Sequence, residues 1–298
     1  MNPPASLSPG QWPMAMEQGR VADAAFAAAY ARSTDLQRAW TKTGLAAVFA
    51  ALGGPMPASR QRREVLGHDL DLTAADAPLD YVIVLCGRDF LSPARLVAAV
   101  VPALCARARD VAAVRVGGAW PKPLLTALEL CGVETACRVT SRDLTGLWAE
   151  LPSKGRGAVV VLGDVALPAG LPAALAVHTA RIAGRAGIFD RDGTGFDADA
   201  LSFAHPDMAF FAHSGPCPEL PSFAAGQGDL AQAAACGYDV VYAASDQLPQ
   251  ALAVAPLALG PGRETFWLWP QLPPQVLRVR RLGAAVAALE AEPAPQND

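Results

Sequence analysis

The strongest nucleophile in the chain is Cys217, in the stretch His213-Ser-Gly-Pro-Cys-Pro-Glu-Leu. A thiolate attacks a carbonyl far better than a thiol does. A neighbouring histidine, or backbone amides aimed at the sulfur, would supply that activation. His213 lies four residues earlier, at the end of an expected strand, and could point toward the same site. The rival reading gives Cys217 a packing role in a proline-rich turn. A second group of reactive types sits in Phe189-Asp-Arg-Asp-Gly-Thr-Gly-Phe-Asp. Closely spaced carboxylates of this kind could serve phosphoryl transfer with magnesium. That chemistry also wants a basic residue and a downstream acidic pair. No lysine follows Lys154, and no Asp-Asp or Glu-Asp pair follows Asp192. The same acids do not make a helix–loop–helix calcium loop, because Asp197 and Leu201 stand where an apolar residue and a glutamate are needed. A tight acidic surface turn is the plainer account, and no metal is expected.

These residues need elements to hold them. Four short apolar runs alternate with three helix-like segments between residues 80 and 165: Asp80-YVIVLCG, Val111-AAVRVGG, Val133-ETACRVT and Gly157-AVVVLGD. Strands alternating with helices predict right-handed crossovers and a mostly parallel, Rossmann-like sheet covered on both faces. Such a sheet takes ligands beyond the carboxyl ends of its strands. The loops of interest are therefore 87–91, 117–121, 140–143 and 163–165. Ser92 with Pro93 should open one helix, and Pro121 with Pro123 a second that Gly132 ends. Ser141 could cap a third. The backbone of Gly117 and Gly118 could approach a phosphate, although Pro121 and Pro123 cannot donate to it. No G-x-G-x-x-G follows any of the strands.

The rest divides around that unit: residues 1–78 as an N-terminal helical segment, 79–165 as the Rossmann-like domain, 166–298 as a C-terminal α/β portion. In the first, two helices are expected over 15–52. A Thr34–Gln37 capping box opens the second, and Gly53-Gly54 stops it. Residues 55–79 suit an exposed connection or small edge element. In the last portion the pattern predicts a helix over 171–183, strands at 187–190, 208–213 and 239–244, and a small helix at 229–236. A late aromatic strand at 265–269 and a closing helix over 273–290 complete it. The fold class is α/β.

Composition bounds the partners. The 298 residues are 52% hydrophobic, with 24 basic and 28 acidic side chains and a formal charge of −4. No overall basic field attracts nucleic acid or an anionic membrane, and a small-molecule ligand is the expected partner. The six cysteines form no CxxC pair and no zinc spacing with the four histidines, which suits a reducing cytoplasm. The N-terminus lacks the basic start and apolar stretch of a signal peptide. The Arg263-ETFWLWP stretch suits a packed edge or a homo-oligomer contact.

Residues 81–164 resemble the cofactor half of the aldehyde dehydrogenase superfamily, which includes histidinol dehydrogenase and the acyl-CoA reductases. Cys86-GRDF looks like its strand-end loop, in which an Asn-Phe pair borders the active site. Val101-PALCARARDVAAVRV and Pro123-LLTALELCGVETACRVTSRD are similar to two of its helix–strand units. Val159-VVLGD is similar to the strand ending in Gly-Ser, and Arg115-VGGA is a histidinol dehydrogenase string. Cys217 follows the Gly163 turn by 54 residues, an interval similar to the family's. The resemblance implies an oxidoreductase in which Cys217, helped by His213, attacks an aldehyde or acyl thioester. NAD or NADP would lie against Gly87, Asp89, Gly117, Gly118, Gly163 and Asp164. The sequence departs from the pattern at three of these positions. Gly117 replaces a lysine, Asp89 an asparagine and Asp164 a serine, and no glutamate lies between Glu150 and Glu219. The alternatives are a non-catalytic ligand- or protein-binding relative, and a magnesium-dependent phosphatase using Asp190 and Asp192. The Asp-x-Asp-Gly-Thr string of the latter is similar to the haloacid dehalogenase nucleophile motif.

Overall fold

The computed structural model describes residues 11–168, 170–173, 175–190 and 195–286. Three helices lead the chain: α1 (Met14–Gln18), α2 (Asp23–Arg32) and α3 (Asp35–Leu52). The Thr34–Gln37 capping box opens α3, and Gly53, at φ +75°, ends it in the left-handed conformation that glycine adopts without strain. A hairpin follows in the stretch expected as an exposed connection or small edge element, β1 (Ser59–Val65) and β2 (Leu70–Pro78).

The alternating unit comes next. It runs β3 (Tyr81–Cys86), α4 (Pro93–Cys105), β4 (Asp110–Val116), α5 (Lys122–Leu130), β5 (Thr135–Val139), α6 (Asp143–Glu150), β6 (Gly157–Leu162) and β7 (Leu175–Ala180). These strands form one parallel sheet in the order β5-β4-β3-β6-β7. β3 is buried at every position. Its alternate side chains enter two different cores, Val82, Val84 and Cys86 on one face and Tyr81, Ile83 and Leu85 on the other. This is why the run is continuously apolar.

A second parallel sheet follows, from β8 (Arg185–Phe189), α7 (Ala198–Ala204), β9 (Ala209–Ser214), β10 (Phe223–Ala225), β11 (Val240–Ala243), α8 (Leu248–Ala251) and β12 (Ala258–Leu259). Its order is β10-β9-β8-β11-β12, the same pattern as the first. Finally β13 (Arg278–Val286) returns to pair antiparallel with β2. The α/β, Rossmann-like class is therefore the observed one.

Three expected elements differ. The helix expected over 171–183 is strand β7, registered against β6 from Leu175 to Ala180. An alanine-rich segment read as helix gains more from pairing with a buried neighbour strand, an instance of tertiary context overriding propensity. The aromatic stretch 265–269 is irregular, and Trp267 and Trp269 bury their rings edge-to-face at 5.5 Å instead of alternating along a strand. The closing helix over 273–290 is a 3-10 turn at Pro274–Leu277 followed by β13. Arg278 anchors that strand by bonding Asp76 and the carbonyls of Met56, Pro57 and Ala106. Residues 287–290 of that expected helix lie outside the described residues. Among the described residues, no helix is long and apolar enough to cross a membrane.

Candidate functional site

In the first sheet the chain leaves β3 toward β4 on one side and later places β6 on the other. The carboxyl ends of β3 and β6 therefore form the crevice where an open parallel sheet usually receives its ligand. Gly87, Asp89, Gly163 and Asp164 all meet there. The Asp164 amide donates to both carboxylate oxygens of Asp89, at 3.0 and 3.1 Å. Gly87 donates to the Leu162 carbonyl at 2.8 Å. Neither glycine has room for a side chain. A Cβ on Gly87 would lie 2.5 Å from Asp89 Oδ1, and one on Gly163 would lie 2.8 Å from the same atom. Asp89 thus fills the hollow between the two strand ends.

Arg115, on β4, fixes this loop from beneath. It is 2% exposed and donates to the carbonyls of Phe90 (2.7 Å) and Arg88 (2.8 Å). Burial pushes the guanidinium below its ordinary pKa, and the nearby Cys86 and Asp89 oppose that shift. Cys86 is fully buried beneath the crevice, and burial raises its thiol to about 12, so it is inert. Gly117 and Gly118 take positive φ values of 68° and 77° at the end of β4, and a Cβ on Gly118 would lie 3.6 Å from the Arg88 side chain.

Two hollows flank the crevice and share Asp164. One, of about 450 Å³, is bounded by Asp89, Phe90 and Asp164 on one side and by Arg95, residues 180–184 and Asp207 on the other. The second, of about 510 Å³, lies over β4 and α6, with Arg88, Gly117, Ser141, Thr145 and Trp148 among its walls. Arg95 is the only charge on α4, an otherwise apolar helix, and its side chain is 5% exposed. It is held by the Asp207 carboxylate, which also accepts from the Leu91 amide at 3.1 Å. Burial lowers the Arg95 pKa, with Asp207 opposing. Ser92 caps α4 as expected. Ser141 does not cap α6. Asp143 turns back to accept from the Thr140 amide instead, and that bond lowers its own pKa.

Cys217 and His213 are elsewhere. β8 and β9 begin beside Gly184 and Asp207, so the first hollow opens at their amino ends. His213 lies near the carboxyl end of β9 and Cys217 beyond it. At about 3.3 Å per residue, six residues of strand carry the chain roughly 15–20 Å away. Cys217 is exposed, and its sulfur contacts the Pro218 carbonyl at 3.8 Å. Its flanking prolines border a different hollow of about 30 Å³. His213 stacks on Phe189 at 4.4 Å. One ring nitrogen lies 3.2 Å from the Gly228 carbonyl and the other 2.6 Å from the Tyr238 hydroxyl. The Gly228 carbonyl can only accept, so Nδ1 carries a hydrogen toward it, and Nε2 is engaged with the Tyr238 hydroxyl, leaving no ring nitrogen for a thiol. Asp190 accepts from the Gly195 amide at 2.7 Å, and Asp192 lies outside the described residues.

Arg95, Arg181 and Asp207 carry much of the site and were not signalled by any motif, and Arg115 was signalled only as the first letter of a matched string, with no role. A single arginine in the first turn of an apolar helix was the one available cue, because a buried charge needs a partner.

No family model matches the chain, and no curated protein matches it. Its fold is similar to that of histidinol dehydrogenase from Elizabethkingia anophelis, with a TM-score of 0.54 at 12% identity over 90% of this chain and 77% of that one. Weaker likenesses include succinate-semialdehyde dehydrogenase from Burkholderia pseudomallei (TM-score 0.43, 10% identity, 91% and 89% covered). Another is an engineered glycolyl-CoA reductase with bound NADP+ (TM-score 0.42, 11% identity, 96% and 99% covered). The likeness above a TM-score of 0.5 is to the histidinol dehydrogenase, and it is a likeness of fold. At these identities the likeness speaks for architecture and not for chemistry.

A nicotinamide dinucleotide needs free amides for its pyrophosphate at the strand ends. Here the Asp164 amide is taken by Asp89, and the Asp164 side chain, 89% exposed, adds a second negative charge. The residues at this crevice do not fit the pyrophosphate.

Proposed function

We propose that the chain is a non-catalytic small-molecule binding protein built on this fold, with its ligand in the cleft beside Asp89, Asp164 and Arg181. The observation that carries this is the make-up of the 450 Å³ hollow. Among the described residues, its walls hold aspartate, arginine and apolar or backbone groups, and no cysteine, serine, threonine, lysine or histidine. A carbonyl substrate seated there would meet no thiol, and no imidazole to take a proton. The rival oxidoreductase reading requires Cys217 to reach the same substrate from beyond the far end of β9. The arrangement instead offers Arg181, which is 62% exposed and 3.9 Å from Asp164, for polar contacts to a ligand.

Thermal-shift screening with small carboxylic acids, amines, aldehydes, NAD+, NADP+ and coenzyme A tests this by mass action. A metabolite that stabilises the chain, with stabilisation lost in Arg181→Ala and kept in Cys217→Ser, is expected. Cys217→Ser should change unfolding free energy by no more than about 0.5 kcal/mol, as for an exposed side chain without special contacts. Oxidation of any aldehyde by the wild-type chain with NAD+ or NADP+, abolished in Cys217→Ser, would sink the reading in favour of the oxidoreductase.

A further inference from the structure

The geometry points to Asp89 as a built-in anion that closes the crevice to phosphate. We infer that the cleft selects ligands without a phosphate group, and that removing two carboxylates would uncover a phosphate site. This rests on the cleft being the ligand site.

Four observations support it. First, the Asp89 carboxylate already occupies the strand-end amide that a phosphate oxygen would need. Both its oxygens accept from the Asp164 amide, and it lies against both glycines of the crevice. Second, the plug is held in place. Arg115 draws in the carbonyls on either side of Asp89, those of Arg88 and Phe90, so the loop presents Asp89 inward. Third, the surroundings are otherwise suited to an anion. Arg88 lines the hollow on one side of the crevice and Arg181 the hollow on the other. Asp207 is spent on Arg95, which leaves Asp89 and Asp164, among the described residues, to stand against that field. Fourth, the neighbouring helix start is closed in the same way. Asp207 takes the Leu91 amide just ahead of α4, and Ser92 takes the Arg95 amide in its first turn, so amides at this helix start are also satisfied from within.

A phosphate entering the wild-type crevice would meet a carboxylate at contact distance and a second within a few ångströms. Like charges at such range repel strongly where water screens them little. Binding should therefore tighten by at least about tenfold when both charges are removed.

The test is calorimetric titration of the full chain with inorganic pyrophosphate and with NADH. The proteins are wild type, Asp89→Asn/Asp164→Ser and Asp89→Ser/Asp164→Ser. The asparagine variant can still accept from residue 164, which guards against loss of folding, checked by circular dichroism and melting. The serine variant also frees the amide. The expected result is no measurable wild-type binding at millimolar concentration, a gain in the asparagine variant and a larger one in the serine variant. Wild-type binding as tight as in either variant overturns the inference, and so does a folded pair of variants that gain nothing. A phosphate-free ligand binding the wild type while the variants gain nothing leaves the proposed function standing and removes only this inference. Pyrophosphate gained in the variants, with no ligand found for the wild type, does the reverse.

Discussion

The two parallel sheets share one strand order and differ in what stands at their ends. In the first, β3 and β6 are six residues each and buried at every position. In the second, β10 and β12 shrink to three and two residues, and a 3-10 turn, Leu230–Cys236, stands where a crossover helix would be. Both place an aspartate just past the central strand and use its carboxylate to accept a backbone amide. Asp89 takes that of Asp164, and Asp190 that of Gly195. Yet the first sheet ends in hollows of about 450 and 510 Å³, and the second in one of about 30 Å³. Phe196, Pro216, Pro218 and Phe223 fill the second sheet's end. The comparison teaches that strand order names the place where a ligand can bind, while loop length and side-chain bulk decide whether space remains there.

The largest expected effect lies at the junction of the two sheets. Asp207→Ala leaves the buried Arg95 guanidinium without its counter-charge and the Leu91 amide without an acceptor. Stability should fall by about 3–5 kcal/mol in urea titration. A loss under about 1 kcal/mol would mean that the sheets are not tied through this pair.

Next comes a pH effect on the same junction. His205 is fully buried, lies 3.1 Å from Ser92 Oγ, and is held well below its ordinary pKa by burial and, secondarily, by Arg95. The folded chain refuses a proton that the unfolded chain accepts near pH 6.5. Stability from the neutral ring is therefore present above that pH and lost as pH falls below it, approaching about 1.4 kcal/mol per pH unit. His178, half-buried and shifted the same way by burial, adds in the same direction. His205→Leu should flatten the slope between pH 7 and 5, measured as unfolding free energy; an unchanged slope would locate the titration elsewhere.

The smallest effect belongs to the second sheet's end. His213→Leu loses the bonds to Tyr238 and Gly228 but keeps an apolar side chain against Phe189. A loss of about 1 kcal/mol, with ligand binding at the first sheet unchanged, is expected. Altered ligand binding in this variant would show the two ends to be coupled and weaken the contrast between them.

Much of the local structure was legible before any coordinates. Val82 to Leu85 form a run too apolar for anything but a doubly covered strand, and Thr34–Gln37 and Ser92 bond their helix starts as their spacing suggests. Failures came where a distant partner outweighed local preference. β7 is strand because β6 lies beside it, and β13 is strand because β2, some 200 residues earlier, offers its edge. The grouping of Gly87, Asp89, Gly163 and Asp164 followed from the parallel sheet. The company of Cys217 did not, because periodicity marks a strand without saying which of its ends a cleft will use.

From the chain alone come the apolar alternation, the caps, the parallel sheet and the loops at its carboxyl edge, all set by interactions within a few residues. Tertiary structure alone paired Arg95 with Asp207 across 112 positions and Asp89 with Asp164 across 75, and set Cys217 a strand's length from both. Charge and hydrogen bonding act over a few ångströms of space, and positions far apart in a sequence reach that distance only once the sheets have packed.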